Sequence, residues 1–207
     1  MKKTIIFDLD GTLVDIEPIF FRIFNTLAPV FGYAPIRPDE IPTMKKLPLR
    51  RFLWQRLGWR MLLLPFFLQR GRNEYHALVS EVELFSGIKE LVENLRSRNF
   101  TIGIVSSSRR ETATALMEKF DLQMDFVYQS SLFNKAKALK LSMREKGLTL
   151  SEAIYVGDEV RDVDACHKAG LDIIAVTWGL NSKEALKEAG ATTVDTREEL
   201  LEKILAS

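Results

Sequence analysis

From residue 85 onward, short apolar runs alternate with helix-length amphipathic stretches, and this rhythm constrains the chain more than any other feature. Runs at 100–105 (FTIGIV), 125–129, 153–156, 171–176 and 192–195 read as strands. Stretches at 111–120, 135–146, Val160–Ala169, 182–189 and Arg197–Leu205 read as helices, and Gly147, Gly170 and Gly190 stand where helix ends favour a left-handed residue. An earlier run, 4–9 (TIIFDL), ends at Gly11 and reads as the first, buried strand. Strands joined through helices pair in parallel, so the expectation is an α/β, Rossmann-like parallel sheet covered on both faces. In such a sheet, ligands bind at the carboxyl ends of the strands.

Residues 16–82 break the rhythm. They hold all seven prolines and mostly helical apolar patches, and read as a small helical cap inserted after the first strand. The core would then comprise residues 1–15 and 83–207. Between Ile41 and Arg72 lie eight Lys/Arg and no Asp or Glu. That run is either a solvated basic face or a source of cations for an anionic substrate. Trp54, Trp59 and the run 61–68 are expected to fill the interior of the insertion, with a dimer or membrane-surface patch as the alternative.

Composition narrows the classes. Hydrophobic residues at 46% and charged residues at 28% support a folded core rather than disorder. A net charge of +1 gives no overall pull toward nucleic acid or membrane, and one cysteine excludes an internal disulfide framework or a multi-thiolate metal site. No apolar stretch reaches the roughly 18 residues of a spanning helix. The N-terminus meets Asp8 after four uncharged residues, too few for a secretory h-region, so a cytoplasmic protein is expected.

Chemistry concentrates at two strand ends. Asp8 and Asp10 close the first strand, with Gly11 and Thr12 behind them, and strand alternation sends both carboxylates to one side. Paired carboxylates repel unless a cation lies between them, and hard oxygen ligands favour magnesium over zinc. A strand followed by an Asx-type turn would also explain this pair alone. A second cluster follows a later strand, IYVGDEVRD, where Asp158 and Asp162 stand one helical turn apart. In this topology the two clusters can close around one ion.

The succession FDLDGTLVD, IGIVSSS, a lysine near 135 and VGDEVRD resembles the haloacid dehalogenase-like superfamily. The tail IYVGDEVRDVDACHKAGLDIIAVTWGLNS resembles the phosphoglycolate phosphatase-like branch. The resemblance covers the chain outside roughly 16–82. It implies Mg²⁺-dependent hydrolysis of a small anionic phosphate monoester through an aspartyl-phosphate. By this likeness Asp8 is the nucleophile, and Asp10 is the acid and then the base. Gly11, Thr12, Ser106 and Ser107 lie in the phosphate-binding regions, and Lys135 offsets charge. Asp8, Asp10 through its carbonyl, Asp158 and Asp162 serve the metal. Any serine of Ser106–Ser108 could supply the hydroxyl, the family pattern placing it at Ser106. Lys137 is the alternative to Lys135, because Asn134 stands where relatives commonly have glycine.

Rival functions remain. A phosphotransferase or phosphomutase acting on a sugar phosphate would use the same acids. A phosphorylation receiver would need an aspartate on the strand before the hydroxyl, and FTIGIV has none. A binding protein on a spent enzyme fold lacks positive support. Cys166 reads as a buried small residue, His76 and His167 as surface residues, and Trp178 as packing near the crevice.

Overall fold

The computed structural model describes residues 3–207. The chain opens with β1 (Thr4–Phe7) and a two-residue strand, β2 (Val14–Asp15). There follow α1 (Glu17–Phe31), α2 (Ile41–Met44), α3 (Leu49–Leu57) and α4 (Leu64–Ala77). Short 3₁₀ turns lie at Pro38–Glu40, Gly58–Leu63 and Val79–Glu81. The chain returns through β3 (Glu83–Leu84) and α5 (Ile88–Ser97), then alternates: β4 (Thr101–Ser106), α6 (Arg110–Phe120), β5 (Phe126–Gln129), α7 (Lys135–Glu145). It closes with β6 (Ala153–Gly157), α8 (Val160–Ala169), β7 (Asp172–Val176), α9 (Lys183–Glu188), β8 (Thr192–Val194) and α10 (Arg197–Leu205).

Six strands form one sheet in the order β5-β4-β1-β6-β7-β8, with every neighbouring pair parallel. β1 lies centrally, Phe7 opposite both Ile104 and Val156. Alternation divides the core by face. Ile5, Phe7, Ile102, Ile104, Ile154 and Val156 pack with Leu91, Leu95, Leu116 and Leu200 from α5, α6 and α10. Ile6, Val105 and Tyr155 face the other way, against Leu139 and Met143 of α7 and Cys166 of α8. Gly103 belongs here by necessity, since a Cβ would lie in the Phe126 ring. Cys166 is fully buried, as expected of a small core residue.

The insertion starts and ends at a second, antiparallel pair, Val14 opposite Leu84 and Asp15 opposite Glu83. This ladder is too short to show as a pattern in sequence. Several of the prolines punctuate the insertion by starting its helices: Pro18, Pro42 and Pro65 occupy first-turn positions, where a missing N–H costs nothing. The helices enclose their own core around Phe24, Leu27, Tyr33, Phe52, Leu53 and Phe67. Phe24 lies 5.2 Å from Phe52 and 5.6 Å edge-on to Phe67, centroid to centroid.

The structure corrects one expectation about this core. Phe67 is buried, but Trp54, Trp59, Leu62, Leu63 and Phe66 are exposed. The apolar run around the α3–α4 bend is long enough to face both inward and outward, and the aromatic cluster around Phe24 already fills the inside. β1 also ends earlier than expected, at Phe7, so Asp8 and Asp10 stand on the turn leaving it.

Candidate active site

Parallel order brings the turns after β1, β4 and β6 and the start of α7 to one edge of the sheet. After β1 the chain turns sharply: Leu13 N–H and Val14 N–H both donate to the Leu9 carbonyl, and Gly11 N–H to that of Val14. Gly11 carries φ +79°, and a Cβ there would meet the Asp158 carboxylate, so this turn needs glycine twice over. Leu9 drops into the core, leaving Asp8 and Asp10 to face the crevice.

Asp8 is buried. Its Oδ2 accepts from Lys135 Nζ at 2.7 Å and its Oδ1 from Leu9 N–H at 2.8 Å. Lys135, the first residue of α7, is also buried and donates to Asp162 Oδ1 at 2.5 Å and to the Tyr155 hydroxyl at 2.9 Å. Tyr155 passes the network on to the Val105 carbonyl. Lys137 is exposed, so of the two lysines it is Lys135 that meets Asp8. Asn134, the residue before it, does not prevent this placement.

Across the crevice, Asp158 is held by the Thr12 hydroxyl at 2.8 Å and by Leu180 N–H at 2.8 Å. Asp162 Oδ2 accepts from Glu159 N–H at the start of α8. One carboxylate oxygen each from Asp8, Asp158 and Asp162 lie within 4.8 Å of one another. Three buried carboxylates at that spacing suit a hard divalent cation, and the oxygen-only donor set fits magnesium. The Asp10 carboxylate stands outside this triad. It accepts from the hydroxyls of Tyr75 and Ser108 and, at 3.5 Å, from Ser106.

Electrostatics follow from burial. Desolvation raises the Asp8 carboxyl from 3.8 to about 6 despite the adjacent Lys135 cation, with Asp162 pushing the same way. Burial, reinforced by Glu159, Asp162 and Asp8, holds Asp158 well above the usual carboxylate range. Burial alone would lower Lys135, but Asp162 and Asp8 outweigh it and raise the ammonium above its ordinary value. Lys135 and Arg161 stand against four acids, Asp8, Asp158, Glu159 and Asp162, which leaves negative charge uncompensated, and a divalent cation would relieve it.

Arg161 and Tyr75 were not singled out from sequence. Arg161 donates to Glu159 at 2.5 Å, to the Leu132 carbonyl at 3.2 Å and to Ser107 Oγ at 3.3 Å, while its buried Nε has no partner among the described residues. Thus Ser107 faces Arg161, whereas Ser106 and Ser108 face Asp10. Tyr75 reaches Asp10 from α4, and Arg72 lies 3.5 Å from the Ser107 carbonyl. Arg161, inside VGDEVRD, was findable by its nearness to Asp158, and Arg72 belongs to the basic run that offered cations for an anionic substrate; Tyr75 carried no local signal. Trp178 donates to the Thr12 carbonyl and lies under Arg197 at 4.0 Å, bracing the turn after β1.

A cavity of about 180 Å³ opens above Asp10, Ser107 and Ser108. Its far walls are apolar, from Phe20 and Phe24 of α1, Leu53 of α3 and Phe67 of α4, with Arg72 and Arg161 on its rim. The insertion is fastened over it: Asn181 donates to the carbonyls of Lys45 and Leu47 at 3.0 Å each, and Ser182 N–H donates to Lys45 at 2.8 Å.

A phosphoglycolate phosphatase of Synechococcus elongatus is 35% identical over 190 residues, covering 90% of this chain and 89% of that protein. A phosphorylated carbohydrates phosphatase of Thermotoga maritima is 26% identical over 213 residues, covering 96% of each. The crystal structure of a predicted phosphatase from Clostridium acetobutylicum superposes with a TM-score of 0.83 at 25% identity over 100% of both chains. The haloacid dehalogenase-like hydrolase family model matches residues 5–176, and the chain belongs to that family of hydrolases.

Proposed function

We propose that the protein is a Mg²⁺-dependent phosphatase that hydrolyses a small phosphate monoester through an aspartyl-phosphate on Asp8. The observation that carries this reading is Asp8 itself, held at 2.7 Å by Lys135 beside Asp158 and Asp162, with Asp10 two residues on and hydrogen-bonded separately. An oxygen of Asp8 attacks phosphorus as the ester P–O bond breaks, and Asp10 gives its proton to the departing alkoxide. Asp10 then takes a proton from water, the water oxygen bonds to phosphorus, and the P–O bond to Asp8 breaks, releasing phosphate. Lys135 and Ser106 stabilise charge on the phosphoryl oxygens, Gly11 and Thr12 shape the turn beneath them, Thr12 through its hydroxyl on Asp158, and Ser107 holds Arg161 beside them. A magnesium ion held by Asp8, Asp158 and the Asp10 carbonyl, with Asp162 in support, would neutralise charge on nucleophile and phosphate.

In this reading residues 16–82 form a cap that excludes water from the crevice, and residues 1–15 with 83–207 form the catalytic core. The relationship to the Synechococcus elongatus phosphoglycolate phosphatase supports a phosphoglycolate-like substrate. Arg72 supplies a cation at the cavity's polar end for a carboxylate. A cytoplasmic location is consistent with a free buried cysteine and with the lack, among the described residues, of any helix long and apolar enough to cross a membrane. The test is a panel of phosphoglycolate, sugar phosphates and an aryl phosphate, with Mg²⁺ or with chelator, on wild type and Asp8→Asn. Turnover that needs Mg²⁺ and vanishes in the variant is expected. Activity that survives either treatment refutes the mechanism, and a phosphorylated sugar product would make the enzyme a transferase.

A further inference from the structure

The outer tip of the insertion combines two properties that soluble surfaces normally keep apart. Trp54, Trp59, Leu62 and Phe66 are 62%, 71%, 81% and 66% exposed, and Leu63 adjoins them. All five lie within thirteen consecutive residues, from the end of α3 through the 3₁₀ turn to the first turn of α4. The same segment belongs to the acid-free stretch between Ile41 and Arg72. Lys45 and Arg56 are held by Glu17 and Glu40, and Arg70 lies beside Glu74. Arg50, Arg51 and Arg60 have no carboxylate partner among the described residues, and Arg60 lies over the Trp59 ring at 5.1 Å.

We propose that this tip docks on the surface of an anionic lipid bilayer. Tryptophan, phenylalanine and leucine flanked by arginine is the chemistry of an interfacial helix: the rings enter the headgroup boundary while the guanidinium groups meet lipid phosphates. Charge decides between occupants. A second copy seated on the same patch would bring Arg50, Arg51 and Arg60, which have no carboxylate partner among the described residues, against their own counterparts, whereas an anionic lipid surface complements them. Docking leaves the crevice free, because α3 and α4 turn Leu53 and Phe67 toward the cavity and Trp54 and Phe66 away from it.

The test is flotation of the full chain with vesicles of phosphatidylcholine alone or mixed with phosphatidylglycerol, at low and high salt, with tryptophan emission recorded alongside. Expected are association with the anionic vesicles only, a blue-shifted emission, and release by salt. Trp54→Gln/Trp59→Gln/Phe66→Gln should abolish association while aryl phosphatase activity in solution stays unchanged. Arg50→Gln/Arg51→Gln should lower partitioning roughly thirtyfold, at about 1 kcal/mol per basic residue. The proposal falls if wild type ignores anionic vesicles, binds neutral ones equally, or binds as well after the triple substitution. It falls equally if light scattering shows a dimer that the triple substitution dissolves, which would make the patch a self-interface.

Discussion

Lys135→Met removes the one ammonium that touches both Asp8 and Asp162. Methionine fills most of the lysine's volume, so the loss is electrostatic rather than a cavity. Breaking a buried pair by removing one partner costs about 3–5 kcal/mol, because the remaining charges keep their desolvation penalty. For a chain of this size that corresponds to a fall in Tm of roughly 6–20 °C. The sign with pH follows from the direction of the Asp8 shift. Its carboxyl is already raised from 3.8 to about 6 with the lysine present, and rises further without it. A raised carboxylate pKa costs nothing below the unfolded-state value and destabilises the fold progressively as pH climbs through the folded-state value. The part of the loss that runs through Asp8 should therefore be smaller near about pH 4.5 than near about pH 7.5 and keep growing above it, while the part from the pair with Asp162 persists at both. Urea unfolding with chelator at both pH values measures it. A loss below about 1 kcal/mol, or an equal loss at both pH values, would mean that Lys135 does not carry this charge balance. Turnover should fall by about 10²–10³ even where Mg²⁺ restores the fold, since the charge on the phosphoryl group still lacks its ammonium.

Asp10→Ala should slow turnover of a poor leaving group by about 10²–10⁴ while an aryl phosphate still loads Asp8, so that acid quenching traps phosphoenzyme; no trapped phosphoprotein would count against the two-step scheme. Mg²⁺ should raise Tm more near about pH 7.5 than near about pH 5, because protons compete with the metal at Asp8 and Asp158; a pH-independent shift would place the ion elsewhere. Tyr75→Phe deletes one hydrogen bond to Asp10 and should cost about 10–100-fold in kcat with a changed pH profile, leaving the fold intact; an effect on KM alone would make Tyr75 a substrate contact. Arg72→Gln should weaken phosphoglycolate far more than an aryl phosphate, and equal weakening of both would deny Arg72 its carboxylate-binding role.

Legibility in the sequence tracked the range of the interaction. From β4 onward, strands and helices came through to within a residue or two because each is written in its own local periodicity, as in β4, expected at 100–105 and found at Thr101–Ser106, whereas α5 was not singled out. The acids at 8, 10, 158 and 162 stood out because a parallel sheet brings its strand ends to one edge, whatever separates them along the chain. Lys135 needed one more fact, the rotation of α7. Burial of Ala138 and Leu139 fixes that rotation and turns Lys137 to solvent, and nothing local to FNKAKALK declares it.

The insertion behaves differently, for a physical reason. Its apolar residues exceed what its small interior can hold, so hydropathy states how much must be buried or partnered but not which side chains win. The rings of Phe24, Tyr33, Phe52 and Phe67 interlock at centroid distances of 4.6–5.9 Å and close that interior. Trp54, Trp59 and Phe66 are the remainder. Tyr75 shows the same limit at the site: it meets Asp10 across 65 positions through the docking of α4, a contact set by tertiary closure alone. The acids must stay where the sheet brings them together, and Tyr75 is tied to them through Asp10, while the outer tip lies clear of the cavity and can vary without disturbing the chemistry beneath.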